Sequence, residues 1–233
     1  MTPRGPAALT FAILPVKRFN AAKQRLGIDL AAGTRRALAE SMLTDVLMAL
    51  RRTQAIDEVL LVTSEPAADA IGRGYGARVI EDTEEDGQSA AAMIGVSHAI
   101  EAGADRVLLV PGDCPALDPA ELTALLDTPV LGRSLTLVSD RHGTGTNALV
   151  LAPPNVIEPE FGEGSRARHE AAAAAVGIPC AVEQLPTLAL DIDTLDDLAE
   201  LRRMLAERRG GAAHTRGMLS RLAGRARGAT SGP

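Results

Sequence analysis

Short, almost wholly apolar runs recur along this chain between stretches of helical periodicity, and that alternation restricts the fold more than any other feature. Leu9 to Val16, Val59-Leu60-Leu61-Val62 and Val107-Leu108-Leu109-Val110 carry almost no polar face. A strand that is apolar on both of its alternating faces is buried on both, as in a mainly parallel sheet covered by helices. Between the first two runs, Leu38, Met42, Val46 and Leu50, with Leu43 and Leu47 beside them, form an i, i+4 stripe for a long helix. The pattern continues to the end of the chain and predicts an α/β fold of βαβ units, with a mainly parallel central sheet and helices on both faces.

Further elements follow from local signals. A short helix is expected near Ala67–Arg73, a strand at Arg78-Val79-Ile80, and an Ala-rich helix from Ser89 to about Ala102. Asp118-Pro119-Ala120-Glu121 places an N-cap Asp before a Pro at the first helical position and starts a helix that ends near Asp127. Leu135–Val138 and Ala148–Leu151 read as strands around the loop from Asp140 to Thr146, and a helix is expected at Arg166–Val176. Leu188–Asp193 reads as the last strand, and Thr194 caps the last helix, with Asp196 and Asp197 in its first turn. Residues 1–209 are read as one domain, and the Gly-, Ala- and Arg-rich residues 210–233 as a flexible tail.

Composition excludes several classes of function. The 233 residues include no Trp, one Tyr and three Phe, too few aromatic platforms for stacking on single-stranded nucleic acid. Residues 201–233 hold eight Arg and one Glu, leaving 16 basic and 29 acidic groups in residues 1–200. An acidic body argues against a nucleic-acid partner. Cys114 and Cys180 make neither a disulfide framework nor a zinc set. No run approaches the roughly 20 apolar residues of a membrane span and no signal peptide is legible, so a cytoplasmic protein without a membrane partner is expected.

The chemistry is concentrated in acids and cations at predicted strand ends. Asp191 and Asp193, one residue apart, share a face if they lie on a strand, and their carboxylates can then reach one divalent ion or a close pair. Asp113, in Pro111-Gly112-Asp113-Cys114-Pro115, sits at the carboxyl end of the Val107–Val110 run, the edge where open α/β sheets bind ligands. Three crowded carboxylates need a cation, and Mg²⁺ is expected. The loop after the first strand carries Lys17, Arg18, Lys23 and Arg25. It contains neither a GxGxxG fingerprint nor a GxxxxGK[ST] phosphate loop, which disfavours a nicotinamide dehydrogenase or a P-loop kinase. Side-chain cations with a carboxylate-held metal suit a nucleoside triphosphate attacked at its α-phosphorus.

Val16-Lys17-Arg18, Ala22-Lys23-Gln24-Arg25-Leu26, Gly112-Asp113-Cys114-Pro115, Asp140 to Thr146, Phe161 to His169 and Asp191-Ile192-Asp193-Thr194 occur in this order. As a set they resemble the phosphoenolpyruvate / 2-phospho-L-lactate guanylyltransferases of deazaflavin coenzyme F-420 biosynthesis. The resemblance implies a Rossmann-like, GT-A type nucleotidyltransferase fold and transfer from GTP to phosphoenolpyruvate, 2-phospho-L-lactate or 3-phosphoglycerate. It assigns two Mg²⁺ ions to Asp113, Asp191 and Asp193, and the acid to Thr146, Gly162 and Ser165, beside Arg166, Arg168 and His169. Lys17 and Lys23 would neutralise charge in the reaction, with Lys17, Arg18, Lys23, Arg25, Gly87 and Ser89 around the nucleotide. A phosphate oxygen as nucleophile needs no general base, in keeping with the lack of a Ser-His-Asp or Cys-His arrangement.

One segment departs from the family. Where a Gly-Leu-Asn sequence would open the helix near the nucleoside, this chain has Gly87-Gln88-Ser89, so the choice of base rests on the candidate base-facing loop 84–89. A labile product makes handover to a downstream transferase an expectation; a homodimer is compatible with the sequence, which does not fix oligomeric state. The competing readings are a molybdenum-cofactor-type nucleotidyltransferase, which would use CTP and a Gly-rich first loop, and a catalytically silent nucleotide-binding module.

Overall fold

The computed structural model describes residues 8–19, 26, 30–128 and 132–229. The first half alternates strand and helix: β1 Thr10–Val16, α1 Ala32–Arg52, β2 Glu58–Thr63, α2 Pro66–Gly74, β3 Arg78–Glu81, α3 Gln88–Glu101 and β4 Arg106–Leu109. The second half adds α4 Pro119–Leu126, β5 Ser134–Ser139, β6 Thr146–Ala152, α5 Ser165–Ala175, β7 Cys180–Glu183, α6 Leu195–Glu207 and α7 Ala213–Ala229. The strands form one sheet in the order β3-β2-β1-β4-β6-β5-β7. Among the described strands only β6 runs antiparallel to its neighbours. The start of β6 therefore lies at the same edge as the carboxyl ends of β1, β4 and β5.

The apolar runs form strands because successive side chains enter two different cores. Ala12, Leu14, Leu61 and Leu108 pack with Leu43, Val46, Leu47 and Leu50 of α1 on one face. Phe11, Ile13, Leu60, Val62, Val107 and Leu109 pack with Ala92, Val96 and Ala99 of α3 on the other. Gly95 brings α3 down onto β1, since a Cβ there would stand 2.3 Å from a methyl of Ile13. Pro15 is tolerated in this central strand because pairing with β4 ends at Ile13, so its missing N–H leaves no rung of that ladder broken.

Two expectations are corrected. Leu188–Asp193 is not a strand; the strand before α6 is β7, Cys180–Glu183, which pairs with β5 at the sheet edge. The apolar residues Leu190 and Ile192 are buried instead in a third cluster with Leu38 and Met42 of α1 and Leu198, Leu201 and Leu205 of α6. This segment is held by single bonds, Asn147 Nδ2 to the Leu188 carbonyl at 2.9 Å and Ile192 N to the Asp113 carbonyl at 3.3 Å.

The second correction concerns the expected tail. Residues Ala213–Ala229 form a helix, with Met218 and Leu219 buried in the third cluster. The cap of this helix lies in another helix. Asp45 of α1, itself buried, accepts from His214 N at 3.1 Å and Thr215 N at 2.7 Å. Those N–H groups in the first turn have no intrahelical acceptor, and the carboxylate also meets the positive end of the helix. Asp45→Ala is expected to lower stability by about 1–2 kcal/mol, the usual worth of an N-cap, read as a shift in denaturant midpoint. Asp45→Asn, which keeps an acceptor, should recover much of the loss.

Candidate active site

A cleft of about 730 Å³ opens at the carboxyl edge of the sheet, where Lys17, Gly112 and Asp113, the Asp140–Asn147 stretch, Gly162 to Ser165, and Asp191 to Asp193 meet. Lys17 follows β1 directly, and Asp113 comes four residues after β4 ends. Asp191 and Asp193 reach the cleft from the irregular segment that crosses the end of the sheet. Thr146 opens β6, and Gly162 and Ser165 flank the start of α5.

The acidic side of the cleft is held mostly through backbone. Asp197 forms a capping box with Thr194 at the start of α6. Its Oδ2 accepts from Asp193 N at 3.0 Å and from Thr194 N at 2.7 Å, and its Oδ1 pairs with Arg141 at 2.5 Å. Burial alone would raise the Asp197 carboxyl, but the Thr194 hydroxyl, the two amides and Arg141 outweigh it and hold the group below the usual carboxylate range. Asn147 Nδ2 donates to Asp191 Oδ1 at 3.2 Å. Burial pushes the Asp191 carboxyl above its ordinary range, the Asp113 charge adds to this, the Asn147 bond opposes it, and Asp193 raises it further.

Among the described residues no three Asp, Glu, His or Cys side chains are grouped as a metal-holding set. The expected placement of Asp191 and Asp193 on one strand face is not met, since their segment is irregular, but both line the cleft with Asp113, and the charges of Asp113 and Asp193 reach Asp191. Mg²⁺ does not require such a cage; it keeps several waters and takes one or two carboxylates together with substrate phosphates. The donor set, hard oxygens whose mutual charge raises Asp191, suits such an ion.

The neutral side of the cleft is built around α5. Gly162 and Gly164 have φ of 112° and 67°, conformations that L side chains rarely adopt. Arg168 straps this turn by donating to the carbonyls of Glu163, Glu160 and Phe161 at 2.6, 3.2 and 3.3 Å. Arg166 donates to the Gly143 carbonyl at 3.3 Å, joining the 140–145 loop to α5. His169 is fully buried; its Nδ1 lies 3.0 Å from Thr146 Oγ1, and its Nε2 accepts from Glu160 N at 2.8 Å. Burial, aided by the neighbouring Arg168 charge, lowers the imidazole to about 4.

Other residues singled out in the sequence have different surroundings. Arg18 makes a two-pronged pair with Glu85, Nε to Oε1 at 2.9 Å and Nη2 to Oε1 at 2.7 Å, linking the loop after β1 to the candidate base-facing loop. Gly87 is the N-cap of α3 at φ 106°, and Ser89 Oγ accepts from Phe161 N at 2.9 Å; Gln88 between them lines the cleft. Lys23 and Arg25 lie outside the described residues. Asn147 and Glu65 escaped the sequence reading, while Arg141 entered it only within the Asp140 to Thr146 motif and Asp197 only as a first-turn acid of the last helix. Glu65, buried beneath the first loop, accepts from Phe19 N at 3.0 Å and caps α2. The signal for Asn147 was an amide inside an otherwise apolar strand.

A mostly parallel sheet with one reversed strand, ending in a cleft that combines acids, a lysine and a glycine turn, defines a nucleotidyltransferase of Rossmann-like fold. A nucleotidyl transferase from Methanothermobacter thermautotroptrophicus superposes with a TM-score of 0.63 at 18% identity, covering 84% of this chain and 97% of that one. The family profile described as "Guanylyl transferase CofC like" matches residues 10–223. The phosphoenolpyruvate guanylyltransferase of Conexibacter woesei is 55% identical over 214 residues, 91% of this chain and 96% of its own length. That of Sphaerobacter thermophilus is 40% identical over 192 residues, 82% and 92% of the two chains. The chain belongs to the CofC-like guanylyltransferase family.

His169 gives this site a signature in acid. Its folded pKa lies below the ordinary value of 6.5, so the fold favours the neutral ring. The stability this contributes is complete above the unfolded value and is lost as the pH falls from 6.5 towards about 4. Between about pH 7 and about pH 4.5 the wild type is therefore expected to lose more of its Tm than His169→Asn does, as followed by thermal denaturation.

Proposed function

We propose that the protein transfers the guanylyl group of GTP to phosphoenolpyruvate in coenzyme F-420 biosynthesis. Family membership supports guanylyl transfer, and the acid is taken from the name of the Conexibacter woesei relative. The observation that carries the reading is the division of one cleft into an acid-rich part beside Lys17 and a part made of hydroxyls and a glycine turn. The first suits a triphosphate with its metal. The second suits a small anion that must be held without excess positive charge.

In the proposed reaction an oxygen of the acid's phosphate bonds to the α-phosphorus of GTP. The bond from that phosphorus to the oxygen bridging to the β-phosphate breaks, and pyrophosphate leaves with the electron pair. The attacking oxygen is already anionic, so no side chain removes a proton. Two Mg²⁺ ions held by Asp113, Asp191 and Asp193 would supply charge neutralisation at the phosphates. Lys17 adds a cation at the end of β1, a role Lys23 shares in the sequence reading. Thr146, Gly162 and Ser165 fix the acid, and Asn147 and Asp197 keep Asp191 and Asp193 in place. Arg18, Arg25, Gly87 and Ser89 complete the assignment around the nucleotide, Arg18 through its pair with Glu85.

Pyrophosphate release with Mg²⁺, crossing GTP, CTP and ATP against phosphoenolpyruvate, 2-phospho-L-lactate and 3-phosphoglycerate, tests this. Turnover is expected with GTP and phosphoenolpyruvate, and Asp191→Asn should reduce kcat by about a thousandfold, the scale of several kcal/mol of lost charge stabilisation. Turnover with CTP alone would replace the reading with a molybdenum-cofactor-type transfer. Silence in every combination would leave a binding module.

A further inference from the structure

Ser165 and His169 stand four residues apart on α5 and are both buried, at 1% and 0% exposure, so one face of this helix places Ser165 in the cleft lining and His169 behind it, against Thr146. His169 is wired on both of its nitrogens. The Glu160 backbone N–H, 2.8 Å from Nε2, is a donor with no lone pair to offer, so Nε2 must be the acceptor. A proton on Nε2 would set two N–H groups against each other at that distance. A neutral ring with an unprotonated Nε2 carries its proton on Nδ1. The partner of Nδ1 is Thr146 Oγ1 at 3.0 Å, and the direction of this bond follows: Nδ1–H donates and the hydroxyl accepts.

We propose that His169 is a positioning residue that sets the polarity of the Thr146 hydroxyl, so that the hydroxyl donates into the cleft to an anionic oxygen of the phosphorylated acid. The inference rests on the acid being held by Thr146, Gly162 and Ser165. A hydroxyl has one proton and two lone pairs. With a lone pair taken by Nδ1–H, its proton points away from the ring, on the side where Thr146 lines the cleft. In the opposite tautomer the proton would be spent on Nδ1, and the hydroxyl would turn lone pairs towards an anion. The other ring nitrogen extends the control to the second half of the subsite. Glu160 leads directly into Phe161 and Gly162; Phe161 N donates to Ser89 Oγ, and the Phe161 ring meets the imidazole edge to face at 5.6 Å. The same side chain thus orients the Thr146 donor and anchors the segment that carries the glycine turn.

The test combines a spectrum of the unaltered protein with kinetics. Long-range ¹H–¹⁵N correlation of the histidine rings, assigned by comparison with His169→Asn, is expected to show His169 protonated on Nδ1 and not on Nε2. Asn places an amide near the Nδ1 position and can still donate to Thr146, whereas Gln reaches the Nε2 position and cannot. Thr146→Val and His169→Gln should each raise KM for phosphoenolpyruvate by about tenfold or more, the loss of a hydrogen bond to a charged group, with KM for GTP little changed. His169→Asn should stay within a few-fold of wild type, and the Thr146→Val/His169→Gln pair should be no worse than Thr146→Val alone. A ring protonated on Nε2 in an active wild type, fully multiplicative effects in the pair, or equal damage to KM for GTP would overturn the inference by itself. A wild type that uses none of the phosphorylated acids would overturn the functional reading beneath it, and with it the substrate role given to Thr146.

Discussion

Mutual repulsion among Asp113, Asp191 and Asp193 is the constraint around which the cleft is organised. Burial raises the Asp191 carboxyl above its ordinary range, and the charges of Asp113 and then Asp193 add to this. The three acids stay together because what locates them is not their own charge. Asp197 grips the amides of Asp193 and Thr194, the Asp113 carbonyl receives Ile192 N, and Asn147 binds both the Leu188 carbonyl and Asp191. The backbone is fixed by these bonds, and Asp113, Asp191 and Asp193 line the cleft. Arg141 pairs with Asp197, the acid that holds the Asp193 and Thr194 amides.

The opposite economy governs the cationic residues around α5. The sequence places Arg166 and Arg168 next to the Thr146, Gly162 and Ser165 set. Their guanidinium groups are directed to carbonyls of Gly143, Glu160, Phe161 and Glu163 and to the carboxylates of Glu170 and Glu160. Planar donors in a fixed fork suit this work, since one side chain can satisfy several acceptors of a tight turn. The cleft beside them has Thr144, Thr146, Gly162, Gly164 and Ser165 in its lining, and neither arginine.

Much of the fold was legible because burial on both faces leaves an unambiguous mark. β1, β2 and β4 show it, and the Asp118-Pro119 helix start reads directly. Leu188–Ile192 shows where the mark misleads: an apolar run reports that side chains are buried, not what buries them, and here two helices do so instead of neighbouring strands. β7 gave no signal because Ala181, Val182 and Glu183 are exposed on an edge. The acids, Lys17 and the Thr146, Gly162 and Ser165 set were legible as charges and motifs. Asp197, which acts on the nearby Asp193 and Thr194, was legible as a first-turn acid but not as the clamp on those amides. Asn147 and Glu65 were not legible, since each acts on backbone more than 40 residues away in sequence, and such partnerships leave no periodicity. The same holds for α7, whose capping acid lies about 170 residues earlier.

That long-range cap bears on how the protein is made. During vectorial synthesis, the first helix and the strands beside it emerge well before residues 214 and 215, and domains generally begin to fold from the N-terminal side. Until residues 214 to 219 leave the ribosome, Asp45 lacks the amides it accepts from, and the apolar surface of Leu38 and Met42 lacks the cover of Met218 and Leu219. A chain that has emerged only as far as α6 therefore holds the Asp45 side chain without its amide donors and an apolar face without its cover, and α7 supplies both. Completion of the fold is in this way tied to the emergence of residues made about 170 positions after the carboxylate that caps them.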